Sequence, residues 1–364
     1  MIRKDLLPTL LVFIAVLLSS CSGGAAATGA GQSPTVADTS VPTAQLVTAT
    51  SAPAATYEMV TVKINSSSVP SFAPVFIAEA EGYFTEYGIK VDYVTVNKSN
   101  EALPLLVSGD LDAYASSIDA GLLNVLGQEK NVKVVADRGH IAPGDSCTYV
   151  GIMVRKDLYD SGKITKAADL KGQIIVSTNS GASGYFLSTY LAQAGLTLND
   201  VVLNNVPTAG YVDALNNKSV AAIVAPELWV TKLMATGNAV VLTGAQDVVG
   251  TTQLAILAFG KNLLVDHPDV GARFMAAYLK GVQQYNLGKT DRNLQIVSDA
   301  TKVSIPDLKT SCWIPISANG SIDFSGVDNF QKWSIAQGQL AQPITEDQFW
   351  DPSFLAAGQK LLNP

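Results

Sequence analysis

The chain has 364 residues, of which 48% are hydrophobic and 15% are charged, and its formal net charge at pH 7 is −7. An apolar fraction of this size can build a core, and the length suffices for about two domains of ordinary size. The negative net charge and the absence of any run of basic residues argue against a nucleic-acid partner.

The first residues have the pattern of a signal peptide. Arg3 and Lys4 supply positive charge, and residues 6–18 are almost wholly apolar. This apolar run is shorter than the roughly 20 residues that a membrane-spanning helix needs. It ends in Leu18-Ser19-Ser20-Cys21, which resembles the lipobox of bacterial lipoproteins. By that resemblance, residues 1–20 are a signal peptide and Cys21 carries the lipid; an ordinary signal followed by a free, buried cysteine is the alternative.

Residues 22–56 consist mainly of Gly, Ala, Ser, Thr and Pro, and Asp38 is their only charged residue. Such a segment buries too little apolar surface to offset the entropy of ordering, so we expect residues 21–56 to form a lipid anchor and a disordered linker. The folded body is then residues 57–364. We expect it outside the cytoplasm, held at the cell membrane by the lipid.

Two further cysteines, Cys147 and Cys312, lie in the body. Outside the cytoplasm they could form a disulfide, and closing so long a loop would contribute on the order of 4 kcal/mol in the chain-entropy model. Two unpaired, buried thiols are the alternative, and the sequence leaves both open because it does not show how far apart the cysteines lie.

Strand-like and helix-like runs alternate along the body, which predicts an α/β protein with largely parallel sheets. A helix with one apolar face is predicted around residues 270–279, with His267-Pro268 at its start. The predicted strands are residues 60–64, 89–96, 111–115, 132–136, 149–154, 173–177, 201–206, 220–224, 240–242 and 254–259.

A weak internal repeat indicates two similar lobes. Residues 82–113 have the order helix, glycine, strand, helix, strand, and residues 184–222 have the same order. Gly88 and Gly195 occupy matching positions, where a left-handed glycine ends a helix. In open α/β sheets, ligands bind in the crevice at the carboxyl ends of the strands. The loops that follow strands are therefore the candidate ligand-binding segments.

The strongest candidate is the loop of residues 178–184, which follows a predicted strand and opens a helix. Its small residues let a ligand approach the backbone, and the first N–H groups of a helix attract an anion or a polar group. We therefore predict that Ser180, Gly181, Ala182 and Ser183 bind the ligand. An ordinary turn in which Ser180 or Ser183 caps the helix is the alternative.

Other strand ends supply further candidates, each with a structural alternative. The serines offer hydroxyl groups but are also common in turns, and the aromatic residues could cover a ligand or pack in the core. Arg138 could bind a carboxylate or sulfonate, whereas an exposed surface arginine is the commoner case. These candidates are Ser67, Ser68, Phe72, Ser116, Ser117, Arg138, Tyr211, Glu227 and Trp229.

The body resembles the nitrate, sulfonate, taurine and thiamine-precursor group of ABC-transporter solute-binding proteins. The resemblance extends over nearly all of residues 57–364, although no single motif decides it. The segments that carry it are residues 73–78, 82–84, 88–91, 101–103, 108–113, 154–158, 169–172, 225–227, 268–269 and 277–281.

This resemblance implies a type II periplasmic-binding-protein fold of two lobes, which close over one ligand and dock on ABC permease subunits. It also implies that the second lobe, residues 149–250, is inserted into the first lobe, residues 57–148 plus 251–364. We expect the protein to be a monomer. We also expect neither a cofactor nor a metal, because the sequence contains no dinucleotide fingerprint and no metal-ligand spacing.

The class of ligand stays open at the level of the sequence. Arg138 and the loop at residues 180–183 favour a small organic anion, either a sulfonate or a carboxylate. Members of the group often have a polar residue before the proline of the pocket loop, but here Ala225 precedes Pro226 and Glu227 follows it. A negative Glu227 would better suit a neutral or cationic heteroaromatic, such as a thiamine pyrimidine or a flavin-type vitamin precursor.

An esterase is the less favoured alternative. Gly144-Asp145-Ser146 resembles the start of one esterase nucleophile motif, and Asp266-His267 resembles its acid and base. That motif needs two residues between acid and histidine, but Leu264 stands at the acid position and Asp266 is adjacent to His267. We therefore predict that the protein is not an enzyme.

Overall fold

The computed structural model of the chain describes residues 57–67, 69–96 and 99–363. The predicted signal peptide, Cys21, the linker and Ser68 lie outside the described residues. Within those described ranges, none of the helices combines the length and the apolar character that crossing a bilayer requires.

The strands of the described body form two five-stranded sheets, with orders β2-β1-β3-β10-β4 and β7-β6-β8-β5-β9. The second sheet is built from one continuous stretch of chain that lies between β4 and β10 of the first sheet. The strands are β1 (Val60–Asn65), β2 (Ile89–Val94), β3 (Ala113–Ser117), β4 (Lys133–Ile141), β5 (Val150–Arg155), β6 (Ile174–Val176), β7 (Val202–Asn204), β8 (Ala222–Pro226), β9 (Ala239–Gly244) and β10 (Thr252–Phe259).

The expectation of largely parallel sheets is wrong for the two strands at which the chain enters a sheet from the other one. β1 and β6 run parallel to their neighbours, but β10 is antiparallel to β3 and β4, and β5 is antiparallel to β8 and β9. The chain leaves the end of β4 and enters β5 after a short crossing, so β5 starts where the other strands of its sheet end. β10 enters the first sheet in the same way.

The helices cover both sheets and include short elements of four to six residues. They are α1 (Ala73–Ala80), α2 (Tyr83–Glu86), α3 (Ser99–Ser108), α4 (Ala120–Gln128), α5 (Lys156–Asp160), α6 (Gly181–Ala192), α7 (Tyr211–Asn216), α8 (Trp229–Ala235), α9 (Pro268–Tyr285), α10 (Asp291–Thr301), α11 (Ile305–Thr310), α12 (Phe324–Ala336), α13 (Glu346–Phe349) and α14 (Ser353–Leu362).

Helix α9 organises the core of the first sheet and confirms the helix predicted around residues 270–279. His267 is its N-cap and Pro268 its first residue, where proline fits because no N–H is needed. Its apolar face buries Phe274 and Tyr278 and packs against α1 and α14. At the crossing with α1, a Cβ on Gly281 would lie 2.1 Å from the Pro74 carbonyl oxygen. Glycine is therefore required for the two helices to approach.

The predicted helix ends at Gly88 and Gly195 are confirmed. Their φ angles are +66° and +69°, the left-handed conformation that glycine adopts without a steric penalty. Gly88 also needs to be small, because a Cβ there would lie 2.5 Å from Cβ of Tyr57.

Cys147 and Cys312 form a disulfide, with 5.5 Å between their Cα atoms. Cys147 lies in the crossing segment between β4 and β5, and Cys312 lies between α11 and α12. The sequence separation is 165 residues, so the covalent ring contains every strand of the second sheet.

Candidate functional site

A cavity of about 740 Å³, here called the cleft, lies where the strand ends of the two sheets face each other. Asn65 and Ser116 line it from the ends of β1 and β3, and Pro226 lines it from the end of β8. The first residues of α4 and α6 also line it. This volume is in the range of small-molecule sites, and the position is the one expected for α/β sheets.

Arg138 supplies positive charge to the cleft from β4. Its side chain is 2% exposed, its Nε donates to the Ile256 carbonyl at 3.3 Å, and its Nη1 donates to Ser71 Oγ at 2.9 Å. Its remaining N–H groups have no hydrogen-bond partner among the residues that the structure describes. Burial lowers the pKa of Arg138, with nearby tyrosines and Asp137 acting in the opposite sense. The guanidinium stays charged because the ordinary pKa of arginine is far above neutral.

Arg138 is thus not the exposed surface arginine that was the alternative, and the neighbouring acid does not neutralise it. The strand pairing is irregular at Arg138, because Asp137 pairs with Ile256 and Gly139 pairs with Ala255. The fully buried carboxylate of Asp137 accepts four hydrogen bonds of 2.7–2.8 Å, and the donors are the Gly139 N–H, Gln253 Nε2, His140 Nδ1 and the Ser317 N–H rather than Arg138.

The start of α6 presents free backbone donors to the cleft. Ser180 is the N-cap, but its side chain makes no capping hydrogen bond, which differs from the alternative of an ordinary capped turn. The first N–H groups of a helix have no partner within the helix, so those of Gly181, Ala182 and Ser183 remain available. Ser180, Gly181, Ala182 and Ser183 all line the cleft, as does Thr178. The positive end of the helix dipole therefore faces the same cavity as Arg138.

The serine loops of the first sheet are placed as the strand-end argument predicts. Ser67, Ser116 and Ser117 all line the cleft, while Ser68 lies outside the described residues. Asn65 joins β1 to β3, because its side chain accepts from the Ala115 N–H at 2.8 Å and donates to the Ala115 carbonyl at 3.0 Å. The cleft thus combines hydroxyl groups with one fixed amide at the end of β1.

Glu227 lines the cleft, but its carboxylate is bound within the protein. The residue is 6% exposed; Oε1 accepts from the Cys312 N–H at 2.7 Å and from Thr231 Oγ1 at 2.9 Å, and Oε2 accepts from the Thr231 N–H at 3.1 Å. Burial raises the pKa of Glu227, and the donors from Cys312 and Thr231 oppose that rise. The sequence-based interpretation of a free negative charge facing the ligand does not match these contacts.

The aromatic residues Phe72, Tyr211 and Trp229 do not line the cleft, which differs from the placement that the sequence predicts. Phe72 is fully buried against Phe76, with 4.9 Å between ring centroids, and lies beneath the guanidinium of Arg138. Tyr211 and Trp229 pack edge to face at 5.7 Å on the core of the second sheet. Burying these large rings in the core stabilises the fold and places them outside the cleft lining.

Sequence reasoning missed Asn65, Ser71, Asp119 and Tyr149, all of which line the cleft. Asp119 had a usable signal, since an aspartate before an apolar helical run is typical of an N-cap. It caps α4, where Oδ1 accepts from the Leu122 N–H at 2.8 Å. Burial raises the pKa of Tyr149, so its hydroxyl stays protonated in the cleft. Nothing in the local sequence distinguishes Tyr149 from a core tyrosine.

The esterase residues are not assembled into a catalytic site. Asp266 is paired with Lys261, with 2.7 Å between Oδ2 and Nζ. His267 is the N-cap of α9 and lines a different cavity with Tyr57. In residues 57–67, 69–96 and 99–363, no hydrogen bond joins Ser146 to Asp266 or His267, and no group of three metal-binding side chains occurs.

Two mixed sheets, one inserted in the chain of the other, with a ligand-sized cleft at their facing ends, define a periplasmic-binding-protein fold. Residues 69–286 match the family model described as NMT1/THI5 like, which is more than half of the chain. The chain therefore belongs to the NMT1/THI5-like family, and the resemblance found in the sequence is confirmed.

Solved structures of low sequence identity share this fold. The ligand-binding component of an ABC-type import system from Staphylococcus aureus, with zinc bound, has a TM-score of 0.67 and 17% identity, over 81% of this chain and 98% of that one. The alkanesulfonate-binding protein SsuA from Xanthomonas axonopodis pv. citri, bound to MOPS, has a TM-score of 0.62 and 16% identity, over 81% and 99%.

An enzyme also shares the fold. The desulfurization enzyme DSZB has a TM-score of 0.62 and 17% identity, over 82% of this chain and 99% of that one. A comparison with curated proteins found no sequence match to the chain. At these identities the structural likeness shows the fold alone, so function has to be argued from the cleft.

Proposed function

We propose that the chain is the extracytoplasmic solute-binding lipoprotein of an ABC importer, and that it captures a small organic anion of the sulfonate or carboxylate class. The observation that carries this proposal is Arg138, a buried guanidinium in the cleft that is paired with no carboxylate of the described residues. The solute-binding proteins of similar fold, one of them named as an alkanesulfonate binder, support the role.

An anionic ligand follows from the energetics of burial. A charge taken out of water is costly unless it is paired, and a bound carboxylate or sulfonate would supply the missing partner. A hydrogen bond to a charged group contributes roughly 1.5 to 3 kcal/mol, and two parallel bonds from one guanidinium add geometric selectivity. The free N–H groups at the start of α6 would bind further oxygen atoms of the same acid group.

The heteroaromatic alternative has less support from the contacts. It depended on a negative Glu227 that faces the ligand, but that carboxylate accepts hydrogen bonds from Cys312 and Thr231. Among the described residues that line the cleft, Tyr149 is the one aromatic side chain.

Capture would proceed by closure of two lobes, residues 57–148 plus 251–364 and residues 149–250. A ligand favours the closed form only through contacts that the open form lacks. Arg138 from the first sheet and the α6 amides from the second would be two such sets of contacts on one acid group. We further propose that the protein acts as a monomer, anchored through lipid on Cys21, and delivers its ligand to permease subunits without catalysing a reaction.

The test is a thermal-shift and calorimetric titration of the purified protein with a panel of alkanesulfonates, carboxylates and thiamine-type pyrimidines. We expect an acid to bind, and Arg138→Gln to weaken its binding by about 10- to 100-fold, as loss of one charged hydrogen bond implies. Arg292→Gln is the matched control, since that arginine pairs with Glu81 on the surface. Binding of a pyrimidine that is indifferent to Arg138→Gln would replace the anion by the heteroaromatic ligand, and turnover of an ester that Ser146→Ala abolishes would replace binding by catalysis.

A further inference from the structure

The segment of residues 309–314, here called the Cys312 loop, is fastened to the end of α9 and the residues just after it. Lys289 Nζ donates to the carbonyls of Lys309 at 2.9 Å and Ser311 at 2.6 Å. The Tyr285 hydroxyl donates to the Ile314 carbonyl at 2.8 Å, and the ring of Tyr285 stacks on Trp313 with 5.1 Å between centroids. The disulfide adds a covalent link from this loop to Cys147 in the crossing segment.

Glu227 connects the second sheet to the same loop. It follows the last residue of β8, and its carboxylate accepts the N–H of Cys312 itself at 2.7 Å. Both sides of this contact reach the cleft, because Pro226 and Glu227 line it from the second sheet and Ile314 lines it from the loop. A hydrogen bond therefore joins one wall of the cleft to a disulfide-bonded residue.

The disulfide borders a second cavity of about 470 Å³, lined by Cys147, Cys312 and the same Glu227. The disulfide, the carboxylate of Glu227 and residues of α8 all line this cavity. A small dithiol that enters it could attack the disulfide. The reaction is balanced: the dithiol gives two electrons and two protons and becomes a disulfide, and Cys147 and Cys312 become two thiols.

We propose that Glu227 is a positioning residue, which fixes the β8 wall of the cleft to the disulfide-bonded Cys312 loop, and that reduction of the disulfide loosens this wall and weakens ligand binding. The effect on ligand binding rests on the proposed function, whereas the positioning role rests on the contacts alone.

The physical reason lies in the cost of an unsatisfied, buried carboxylate. Without the link to Cys147, the Cys312 loop keeps its contacts with Lys289 and Tyr285 but loses its covalent tie to the crossing segment, so the Cys312 N–H can withdraw from Glu227. The carboxylate then loses one of its three donors in a site where burial already raises its pKa. The end of β8 gains freedom to move, and the cleft loses a fixed wall.

Amide hydrogen exchange on the full chain tests the positioning role without any ligand. In oxidised wild type, we expect slow exchange at the N–H groups of Cys312 and Thr231, and we expect reduction with dithiothreitol to speed both by at least tenfold. In Glu227→Ala, both N–H groups should exchange fast before and after reduction. In oxidised Glu227→Gln, exchange should be faster than in wild type by a smaller factor than in Glu227→Ala, because the amide oxygen still accepts from the Cys312 N–H. The double variant Cys147→Ser, Cys312→Ser should not respond to dithiothreitol. Unchanged exchange of Thr231 in reduced wild type would overturn the proposal.

Calorimetric titration with MOPS tests the consequence for the cleft. Reduction should weaken MOPS binding to wild type at least fivefold, and Glu227→Ala should weaken it similarly while removing the response to reduction. A full response to reduction in Glu227→Ala would show that the disulfide acts by another route and would reject the role of Glu227. If neither MOPS nor any other acid of the panel binds oxidised wild type, the proposed function fails, and the exchange measurements still decide the positioning role.

Discussion

The substitution Asp137→Asn tests whether the four donors around this carboxylate hold the end of the first sheet together. An asparagine oxygen can still accept from the Gly139 N–H and Gln253 Nε2, but its NH2 group then faces the Ser317 N–H, and His140 Nδ1 can only accept from it as the other tautomer. The Ser317 N–H left without an acceptor costs about 1 to 3 kcal/mol, and the other hydrogen bonds lose the strength that the charge gives them, so we expect a loss of about 3 to 5 kcal/mol in the free energy of unfolding.

This loss corresponds to a melting temperature lowered by on the order of 10 °C for a body of this size. Urea unfolding followed by circular dichroism, with calorimetry as a second probe, measures both quantities. Asp323→Asn is the control, because that residue caps α12 through one N–H, that of Ser325. The control should cost about 1 kcal/mol or less, since asparagine also caps helices. A cost below about 1 kcal/mol for Asp137→Asn would refute the reasoning, because the network would then not be held by its negative charge.

Three further outcomes are expected from pH, packing and export. The hydrogen bond to Asp137 raises the pKa of His140, so the protonated pair stabilises the fold fully below about pH 6 and that part is lost as the pH rises through the raised value. Unfolding of wild type between pH 5 and 9 should show this loss, and His140→Gln should not. Gly281→Ala should cost about 1 to 3 kcal/mol in urea unfolding, because its Cβ would meet the Pro74 carbonyl and separate two helices. Cys21→Ser should abolish incorporation of labelled fatty acid in bacteria; unchanged labelling would contradict the lipoprotein proposal.

The positions of the strands could be predicted because apolar runs mark them. The residues at which the strands end could not always be predicted. Each of the ten predicted runs overlaps a strand of the structure. The fourth was predicted to end at residue 136, whereas β4 continues to Ile141. The five added residues include Asp137, Arg138 and His140, which are polar and therefore read as the end of a buried strand. They remain in the sheet because partners far away in sequence, such as Gln253 and Ser317, satisfy the carboxylate.

The candidate site was also predicted in part, because the sequence marks some of its residues and not others. Loops that follow strands were found because small and hydroxyl residues mark them, and most of those serines and glycines do line the cleft. The aromatic residues were misplaced, because the sequence does not distinguish a ring that covers a ligand from one that packs in a core. Tyr211 and Trp229 pair with each other, while Tyr149, which gave no signal, reaches the cleft. Contacts between distant segments decide these cases.

The proposed anionic ligand has to bind to a chain with a net charge of −7. Charges on the outer surface act weakly inside the cleft, because the screening length at physiological salt is about 8 Å. The acids that line the cleft are bound elsewhere, since Asp119 caps α4 and Glu227 accepts from Cys312 and Thr231. Among the described residues, the guanidinium of Arg138 donates to the Ile256 carbonyl and to Ser71 but to no carboxylate, so it can still pair with an acid group of a ligand. Net charge therefore does not decide which ligand the cleft binds, whereas the pairing of each charged group that lines it does.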